Sequence, residues 1–324
     1  MNRLPLAARG AALLLLALMP GLGQAQAFPD KPITFVVPFA AGTATDQLAR
    51  AIGTQVTVQA QQPVVIDNKA GASGMIAAQQ VAKAAPDGYT VLITTNTTHA
   101  ANEHLYKKLS YDPVKDFAPI TGLGKGGQIM VVNPAFPAKS VAEFVALAKK
   151  EPGKYSFGSG SSSSRMAGEL LQQMAGIELL HVPYKSNTLA VTDLLGGQIH
   201  MMITDSATGL PQVKAGKLRA LGVSSAKRSP LAPEVPTISE AGVKGYEMGY
   251  WFAAYAPAKT PPAVVKRLNE LLAAAARSEA AKTAFYEPSG TEVFTSSPQE
   301  LAQFQAAEAQ KWGRIVKAAG IEAE

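Results

Sequence analysis

Apolar and polar positions follow two alternating periods in residues 28–95 of this chain. The run ITFVVPF, from Ile33, is continuously apolar, as in a strand buried on both faces, and VVIDN and TVLITT are shorter runs of the same kind. Between these runs, TDQLARAIGTQVTVQA and MIAAQQVAKAA space their apolar residues at helical intervals. The order strand, helix, strand, helix, strand predicts a parallel sheet with right-handed crossovers.

A second series of the same kind begins at Gln128. It comprises the predicted strands QIMVVNP, KYSFG, ELLHVPY, IHMMITD and LRALGVSS and the predicted helices SVAEFVALAKKE, RMAGELLQQMA and LAVTDLL. Ser140 is the expected N-cap of the first of these helices, and Lys149 and Lys150 complement the dipole of its last turn. Residues 229–246, rich in Pro and Gly, end the series. The series therefore predicts a second α/β unit.

The end of the chain is predicted to be helical, without a series of strands that could form a sheet of its own. After the predicted strand YWFAAYAP, the segments AVVKRLNELLAAAA and PQELAQFQAAEAQKWGRIVKAAG have helical periodicity. Because these helices lack a sheet of their own, we expect them to pack on the first unit, so that the chain crosses twice between two lobes. We therefore predict an α/β protein with lobe 1 at 28–126 plus 250–324, lobe 2 at 127–249, and a cleft between them.

The first 27 residues have the pattern of a secretory signal peptide. Arg3 and Arg9 precede an apolar run at 11–19, and AQA at 25–27 supplies the small residues of a cleavage site. The run is shorter than the roughly 20 residues that span a bilayer, which disfavours a membrane anchor. The sequence contains no cysteine, which excludes disulfides. We predict cleavage after Ala27 and a location in the periplasm.

Charge and histidine spacing argue against two classes of function. The formal net charge is +6, but the basic residues are scattered rather than clustered, so nucleic acid is not an expected partner. His99 and His104 lie five positions apart, which is not the spacing of a paired helical metal site, and no cysteine completes one. We therefore predict neither a metal site nor a cofactor.

Two strand-to-helix junctions carry the candidate chemistry, VVPFAAGTATDQLAR at 36–50 and YSFGSGSSSSRMAGELL at 155–171. In an open parallel sheet, ligands bind beyond the carboxyl ends of the strands. The first turn of each following helix offers unpaired N–H groups and the positive end of its dipole. Small residues in both turns let a ligand approach the backbone. Two such helix ends that face each other across a cleft would hold an anion without Lys or Arg.

A serine-rich turn before a helix also raises the hypothesis of a nucleophile elbow. The sequence GSGSS, however, has Gly where the nucleophile of a G-x-S-x-G motif would stand. No pair of carboxylates for acid–base chemistry is evident either. A serine hydrolase is therefore only a remote alternative, and we predict that the protein is not an enzyme.

The segments that match a known family are FPDKPITFVVPFAAGTATDQLAR, VVIDNKAGASG, PDGYTVL, LSYDPVKDFAPIT, PGKYSFGSGSSSS, HVPYKSN, LLGGQI, AGKLRALGVSSAKRSPLAPEVPTISEAG and GYWFAAYAPAKTP. They occur in this order along the chain, from Phe28 to Pro261. The chain resembles the Bug-type (TctC-like) extracytoplasmic solute receptors of tripartite tricarboxylate transporters.

The resemblance implies a two-lobed periplasmic binding protein fold, type II-like, with two parallel-type sheets, flanking helices and a two-strand hinge. It also implies a receptor that binds a small carboxylate in the interlobe cleft, without a cofactor, and delivers it to the membrane permease subunits of a tripartite tricarboxylate transporter. Presentation of the ligand to a sensor kinase ectodomain is the alternative, since the same cleft would serve both roles. We expect a monomer.

The resemblance assigns ligand binding to residues in the two junction loops and at three strand ends. They are Phe39, Ala41, Gly42, Thr43, Thr45 and Asp46 in the first loop, Ser159, Gly160, Ser163 and Ser164 in the second, and Asn96, Tyr184 and Asp205 at strand ends. The chain departs from the family pattern at Thr43 and at Ser186 and Asn187, where Gly is frequent. Arg165, a further departure, makes an ion pair with the ligand an option, and we include it among the site residues.

Several of these residues have a second interpretation that the sequence leaves open. Thr45 and Asp46 either cap their helix or combine capping with ligand contact. Asp205 either caps a following helix or accepts a hydrogen bond from a ligand hydroxyl or amine. Tyr184 is expected in the cleft rather than in the core, because Pro183 ends its strand. The aromatic pair Trp251–Phe252 is expected to pack at the hinge, with contact to the ligand as the alternative.

Overall fold

The computed structural model describes residues 28–318 and 320–323, so the predicted signal peptide and its cleavage after Ala27 lie outside the described residues. The strands are β1 (Ile33–Val37), β2 (Val64–Asn68), β3 (Thr90–Thr95), β4 (Phe117–Val132), β5 (Ser156–Ser159), β6 (Leu180–Pro183), β7 (Met201–Asp205), β8 (Arg219–Val223), β9 (Gly249–Pro257) and β10 (Glu292–Val293). The helices are α1 (Ala44–Ala60), α2 (Met75–Ala82), α3 (Asn102–Leu105), α4 (Val141–Lys150), α5 (Ser162–Ala175), α6 (Asn187–Leu195), α7 (Ser206–Lys214), α8 (Pro262–Arg277), α9 (Glu279–Ala281), α10 (Glu287–Ser289) and α11 (Pro298–Ala318). Shorter helical turns lie at Ala72–Gly74, Thr97–Ala101 and Lys282–Tyr286. Among the described residues, no helix combines the length and apolar character that a membrane crossing needs.

The strands form one curled, mixed sheet. Its order is β2-β1-β3-β9-β4-β7-β5-β6, and β8 and β10 also pair with β4. The pairs β1–β2, β1–β3, β5–β6 and β5–β7 are parallel, as the strand–helix alternation predicts. The central strands β4 and β9 are antiparallel to their neighbours, because β9 returns from the second half of the chain in the opposite direction.

Strand β4 is 16 residues long and joins the two halves of the sheet. It pairs with β9 from Phe117 to Gly127 and with β7 from Gln128 to Val132. The sequence predicted only the second part, because glycines interrupt the apolar pattern of the first. Gly122 shows that the packing requires a glycine in this part of β4, because a Cβ at that position would lie 2.6 Å from the ring of Phe294. These glycines let the C-terminal segment pack directly on the strand.

The C-terminal helices pack on the first half of the sheet, as expected. Helix α8 contacts α1 and β4, and its buried residues Leu268 and Leu272 join a core cluster with Leu48 and Ile52 of α1. Helix α11 lies against β4 and residues 97–101. The segment between these helices, for which the sequence predicted no element, forms α9, α10 and β10, and β10 pairs with β4.

The structure differs from the sequence prediction at the start of α5 and in the presence of α7. Helix α5 begins at Ser162 instead of Arg165, so the serine run forms its first turn, and the Ser161 hydroxyl accepts from the Ser164 N–H at 3.3 Å. Helix α7 follows β7 directly, where the sequence series had no helix; Pro211 inside it weakens the helical pattern. The predicted cap of α4 is confirmed, since the Ser140 hydroxyl accepts from the Glu143 N–H at 3.1 Å.

Candidate ligand site

A cavity of about 40 Å³ lies where four helices begin, and we call it the helix-mouth cavity. Its lining combines small polar residues from helix starts with residues from the ends of β3, β7 and β9. The lining residues are Phe39, Thr43, Ala44, Thr45, Thr95, Asn96, Gly160, Ser161, Ser163, Asn187, Asp205, Tyr250 and Phe252. Within this described set none is a Lys, Arg or His, and Asp205 is the one acidic residue.

The first loop presents the start of α1 to the cavity. Thr43 is the N-cap residue, but its hydroxyl donates to the Ala40 carbonyl at 2.8 Å and makes no side-chain cap. The N–H groups of the first turn, at residues 44–46, have no acceptor one turn earlier in the helix. Because Thr43, Ala44 and Thr45 line the cavity, these donors and the positive end of the helix dipole are directed towards it.

Asp46 holds this loop in place and does not line the cavity. Its buried carboxylate accepts from the Gly42 N–H at 2.9 Å, from Arg50 Nε at 3.0 Å and from Asn68 Nδ2 at 3.0 Å. Burial by itself would raise the pKa of Asp46, but the hydrogen bonds from Arg50, Gly42 and Asn68 outweigh it and keep that pKa below its usual value. Gly42 has φ +82°, a left-handed conformation that favours glycine, so the turn depends on both residues. Ala41 and Gly42 lie outside the lining.

The second loop brings two backbones into close approach. A Cβ added to Gly160 would lie 1.9 Å from the carbonyl carbon of Ser186, and the Gly160 N–H donates to Asn187 Oδ1 at 2.9 Å. Gly160, Ser161 and Ser163 line the cavity, whereas Ser164 donates its hydroxyl to the Ile203 carbonyl, away from the lining. The sequence predicted that small residues would open the backbone of this loop to a ligand, but it did not predict that the Gly160 N–H donates to Asn187.

Asn187 and Asp205 link the starts of α6 and α7. Asn187 Nδ2 donates to Asp205 Oδ2 at 3.1 Å, and Asp205 Oδ1 accepts from the Thr208 N–H at 2.9 Å as the N-cap of α7. Asp205 therefore caps a helix and lines the cavity at the same time, so one residue combines a structural role with a cavity-facing one. The sequence analysis singled out Asn187 only because Gly is frequent there in the family. Its position directly after the N-cap residue Ser186 could have placed it at a helix start.

Strand β9 contributes two aromatic residues. Tyr250 and Phe252 line the cavity, while Trp251, on the opposite face of the strand, donates from Nε1 to Glu308 Oε2 at 3.2 Å. Phe252 was expected to pack at the hinge, and in the structure it also lines the helix-mouth cavity. Tyr250 was missed by the sequence prediction. Its hydroxyl lies 2.9 Å from Thr291 Oγ1, and burial raises its pKa above the usual value.

The remaining predicted site residues lie around a second cavity of about 160 Å³, which shares Gly160 and Ser161 with the first. Arg165 lines this second cavity and pairs with Glu169 at 3.7 Å. Ser159, also in that lining, has its hydroxyl 2.8 Å from His181 Nε2. Tyr184 donates to Asp193 Oδ2 at 2.8 Å, and burial together with this carboxylate raises the pKa of Tyr184 to about 12. Arg165 is thus separated from the helix-mouth cavity by the second loop.

Comparisons with known proteins agree with this architecture. The family model described as Tripartite tricarboxylate transporter family receptor matches residues 48–321. The Rhodopseudomonas palustris protein Rpa4515, solved with adipate, is 37% identical with a TM-score of 0.89, covering 92% of this chain and 100% of its own. The periplasmic binding protein BugD is 33% identical with a TM-score of 0.87 and the same coverage. MatC from Rhodopseudomonas palustris, solved with bound malate, is 32% identical with a TM-score of 0.85, covering 89% of this chain and 100% of its own.

The family match spans most of the chain, and the similar structures Rpa4515 and BugD each cover 92% of it in the same fold. The two-lobed periplasmic binding fold implied by the sequence resemblance is confirmed. The chain therefore belongs to the family of tripartite tricarboxylate transporter receptors, whose solved members include periplasmic binding proteins.

Proposed function

We propose that this receptor binds a small carboxylate in the helix-mouth cavity and delivers it to the membrane permease of a tripartite tricarboxylate-type transporter. One observation carries the proposal: several helix starts converge on a cavity whose lining contains no basic side chain. Unpaired N–H groups and aligned helix dipoles attract an anion at such a place. The similar proteins Rpa4515 and MatC were solved with adipate and malate, which are both small dicarboxylates.

The proposed binding motion uses the two crossing strands. We propose lobe 1 at 28–126 plus 250–324 and lobe 2 at 127–249, with the ligand between them. The partner change of β4 between Gly127 and Gln128 supports this division, and β9 begins opposite it, at Gly249. A bend at these two strands would open and close the cavity.

Binding of carboxylates is the first expected result. We expect at least one acid from a panel of monocarboxylates, dicarboxylates, tricarboxylates, aromatic acids and amino acids to stabilise the protein in thermal melts and to bind in calorimetry. A ligand at 100 times its Kd adds about 2.7 kcal/mol to the free energy of unfolding. Arg165→Ala should leave the affinity within about threefold, because Arg165 lies outside the helix-mouth cavity. Loss of binding in this variant would show that the anion is held by an ion pair instead, and no binding by any acid would refute the function.

Export and cleavage are the second expected result. We propose that the mature chain begins at Phe28, and its ring packs edge-on against Tyr89 with centroids 5.0 Å apart, so the fold uses this residue. Mass analysis of the periplasmic fraction should give the mass of residues 28–324. A full-length chain retained in the membrane fraction would contradict this proposal.

A further inference from the structure

Asn96 carries a buried acceptor that the protein leaves unused. Its side chain is 0% exposed and lines the helix-mouth cavity. Nδ2 donates to the Gly249 carbonyl at 3.3 Å, whereas Oδ1 has no hydrogen-bond partner among the described residues. A carbonyl only accepts, so the bond to Gly249 fixes which way the amide points and leaves an oxygen as the unpaired atom. A buried polar atom of this kind is expected to have a partner in the functional state.

Asp205 is a second group in the same lining that only accepts. Its two oxygens receive bonds from the Thr208 N–H, from Asn187 Nδ2 at 3.1 Å and from the Thr204 hydroxyl at 3.4 Å. A carboxylate has about four acceptor positions, so a further donor can be accommodated. The Thr and Ser hydroxyls of the lining can donate or accept and do not select between ligands. Asn96 Oδ1 and the Asp205 carboxylate therefore each have an acceptor position that a ligand donor can use.

We infer that the ligand carries a hydrogen-bond donor, a hydroxyl or ammonium group, beside its carboxylate, and that Asn96 Oδ1 accepts from it with Asp205. The inference rests on the proposed carboxylate binding. A plain acid would leave Oδ1 buried without a partner and would place its charge in the same cavity as the Asp205 carboxylate, with no donor of its own to offer. Sites built to bond a polar substituent reject the analogue that lacks it for the same reason.

The test compares acids that differ only at the carbon next to the carboxylate. Calorimetry is run with propionate, lactate and alanine, with succinate, malate and aspartate, and with glutarate, 2-hydroxyglutarate and glutamate. In any set that binds, we expect the hydroxy or the amino acid to bind at least about tenfold more tightly than the plain acid, and the tighter of the two identifies the donor. A plain acid that binds as tightly as both counterparts overturns the inference alone. If no acid in these sets or in the wider panel binds, the proposed function fails.

Two variants assign the discrimination to Asn96. Asn96→Leu keeps the side-chain shape and removes the acceptor, so the ratio between substituted and plain acid should fall to about one. Thr97→Val is the matched control, because Thr97 is also 0% exposed, has an Oγ1 with no partner among the described residues, and lies outside the cavity lining. We expect Thr97→Val to keep the wild-type ratio. An unchanged ratio in a folded Asn96→Leu protein overturns the assignment, and if that variant does not fold, the wild-type acid series decides.

Discussion

Gly160→Ala is expected to abolish ligand binding and to destabilise the protein. The added Cβ would lie 1.9 Å from the Ser186 carbonyl carbon and 2.2 Å from the Asn187 nitrogen, and both are backbone atoms that cannot rotate away. The second loop must therefore move from the start of α6, which breaks the bond from the Gly160 N–H to Asn187 and reshapes the cavity lining. Overpacking of this kind costs about 1–3 kcal/mol. Calorimetry with a confirmed ligand and denaturant unfolding measure the two effects.

Gly196→Ala is the matched control for this prediction. Gly196 ends α6 with φ −79°, and an added Cβ would have its nearest neighbour, the Asp193 carbonyl oxygen, at 3.6 Å. Alanine fits such a position, so stability should stay the same or rise by about 0.4–1 kcal/mol, with unchanged affinity. Wild-type affinity in Gly160→Ala would show that the close approach of the two backbones is not needed for binding.

Asp46→Asn is expected to loosen the first loop and to weaken both stability and ligand affinity. The buried carboxylate accepts from the Gly42 N–H, from Arg50 and from Asn68, and one amide oxygen cannot replace it. Hydrogen bonds to a charged group contribute about 1.5–3 kcal/mol, so we expect the free energy of unfolding to fall by about 2–3 kcal/mol. Affinity should fall as well, because Thr43 and Thr45 lose the support that directs the start of α1 to the cavity.

The pH dependence of this effect follows from the direction of the pKa shift. The pKa of Asp46 lies below its ordinary value of 3.8, so the carboxylate stabilises the fold fully above that value. This contribution is lost as the pH falls through the lower pKa of the folded state, and the difference between wild type and Asp46→Asn should shrink there. Glu270→Gln is the control, since Glu270 pairs with Arg267 at 3.5 Å with both side chains about half exposed. It should change stability by about 0–1 kcal/mol. An equal loss in both variants would contradict the special role of Asp46.

The elements predicted most accurately are those whose residues by themselves have a clear periodicity and clear turn residues at both ends. Strands β2 and β3 were predicted with the bounds that the structure has, because each is a short run of strand-forming residues enclosed by turn residues. The first half of β4 and the short strand β10 were missed. Their pairing depends on glycines that accept a neighbour from far along the chain, and no local period marks such a contact.

The candidate site divides in the same way. The strand-to-helix junctions at Thr43 and Gly160 were predicted from sequence, because a strand that stops at small residues before a helix exposes helix N–H groups wherever it occurs. The sequence left open whether Asp46 only caps its helix or also contacts the ligand, and it did not predict that Arg165 lies around a second cavity. Both residues are polar and lie next to a junction. Only the direction of each side chain in the folded structure keeps it out of the lining of the helix-mouth cavity.

The sequence by itself determined the α/β order, the two loops and the family, since these follow from periodicity, turn residues and motifs that are contiguous in the chain. Tertiary structure alone decided which polar atoms face the cavity. Asn96 is oriented by a carbonyl 153 residues away, and Gly160 is held by Asn187, 27 residues on. Each bond forms only after strands that are apart in the chain have paired, β3 with β9 in the first case and β5 with β6 in the second. The register of such pairing is set by the packing of the whole sheet, and this is why the polar lining of the cavity could not be derived from residue order.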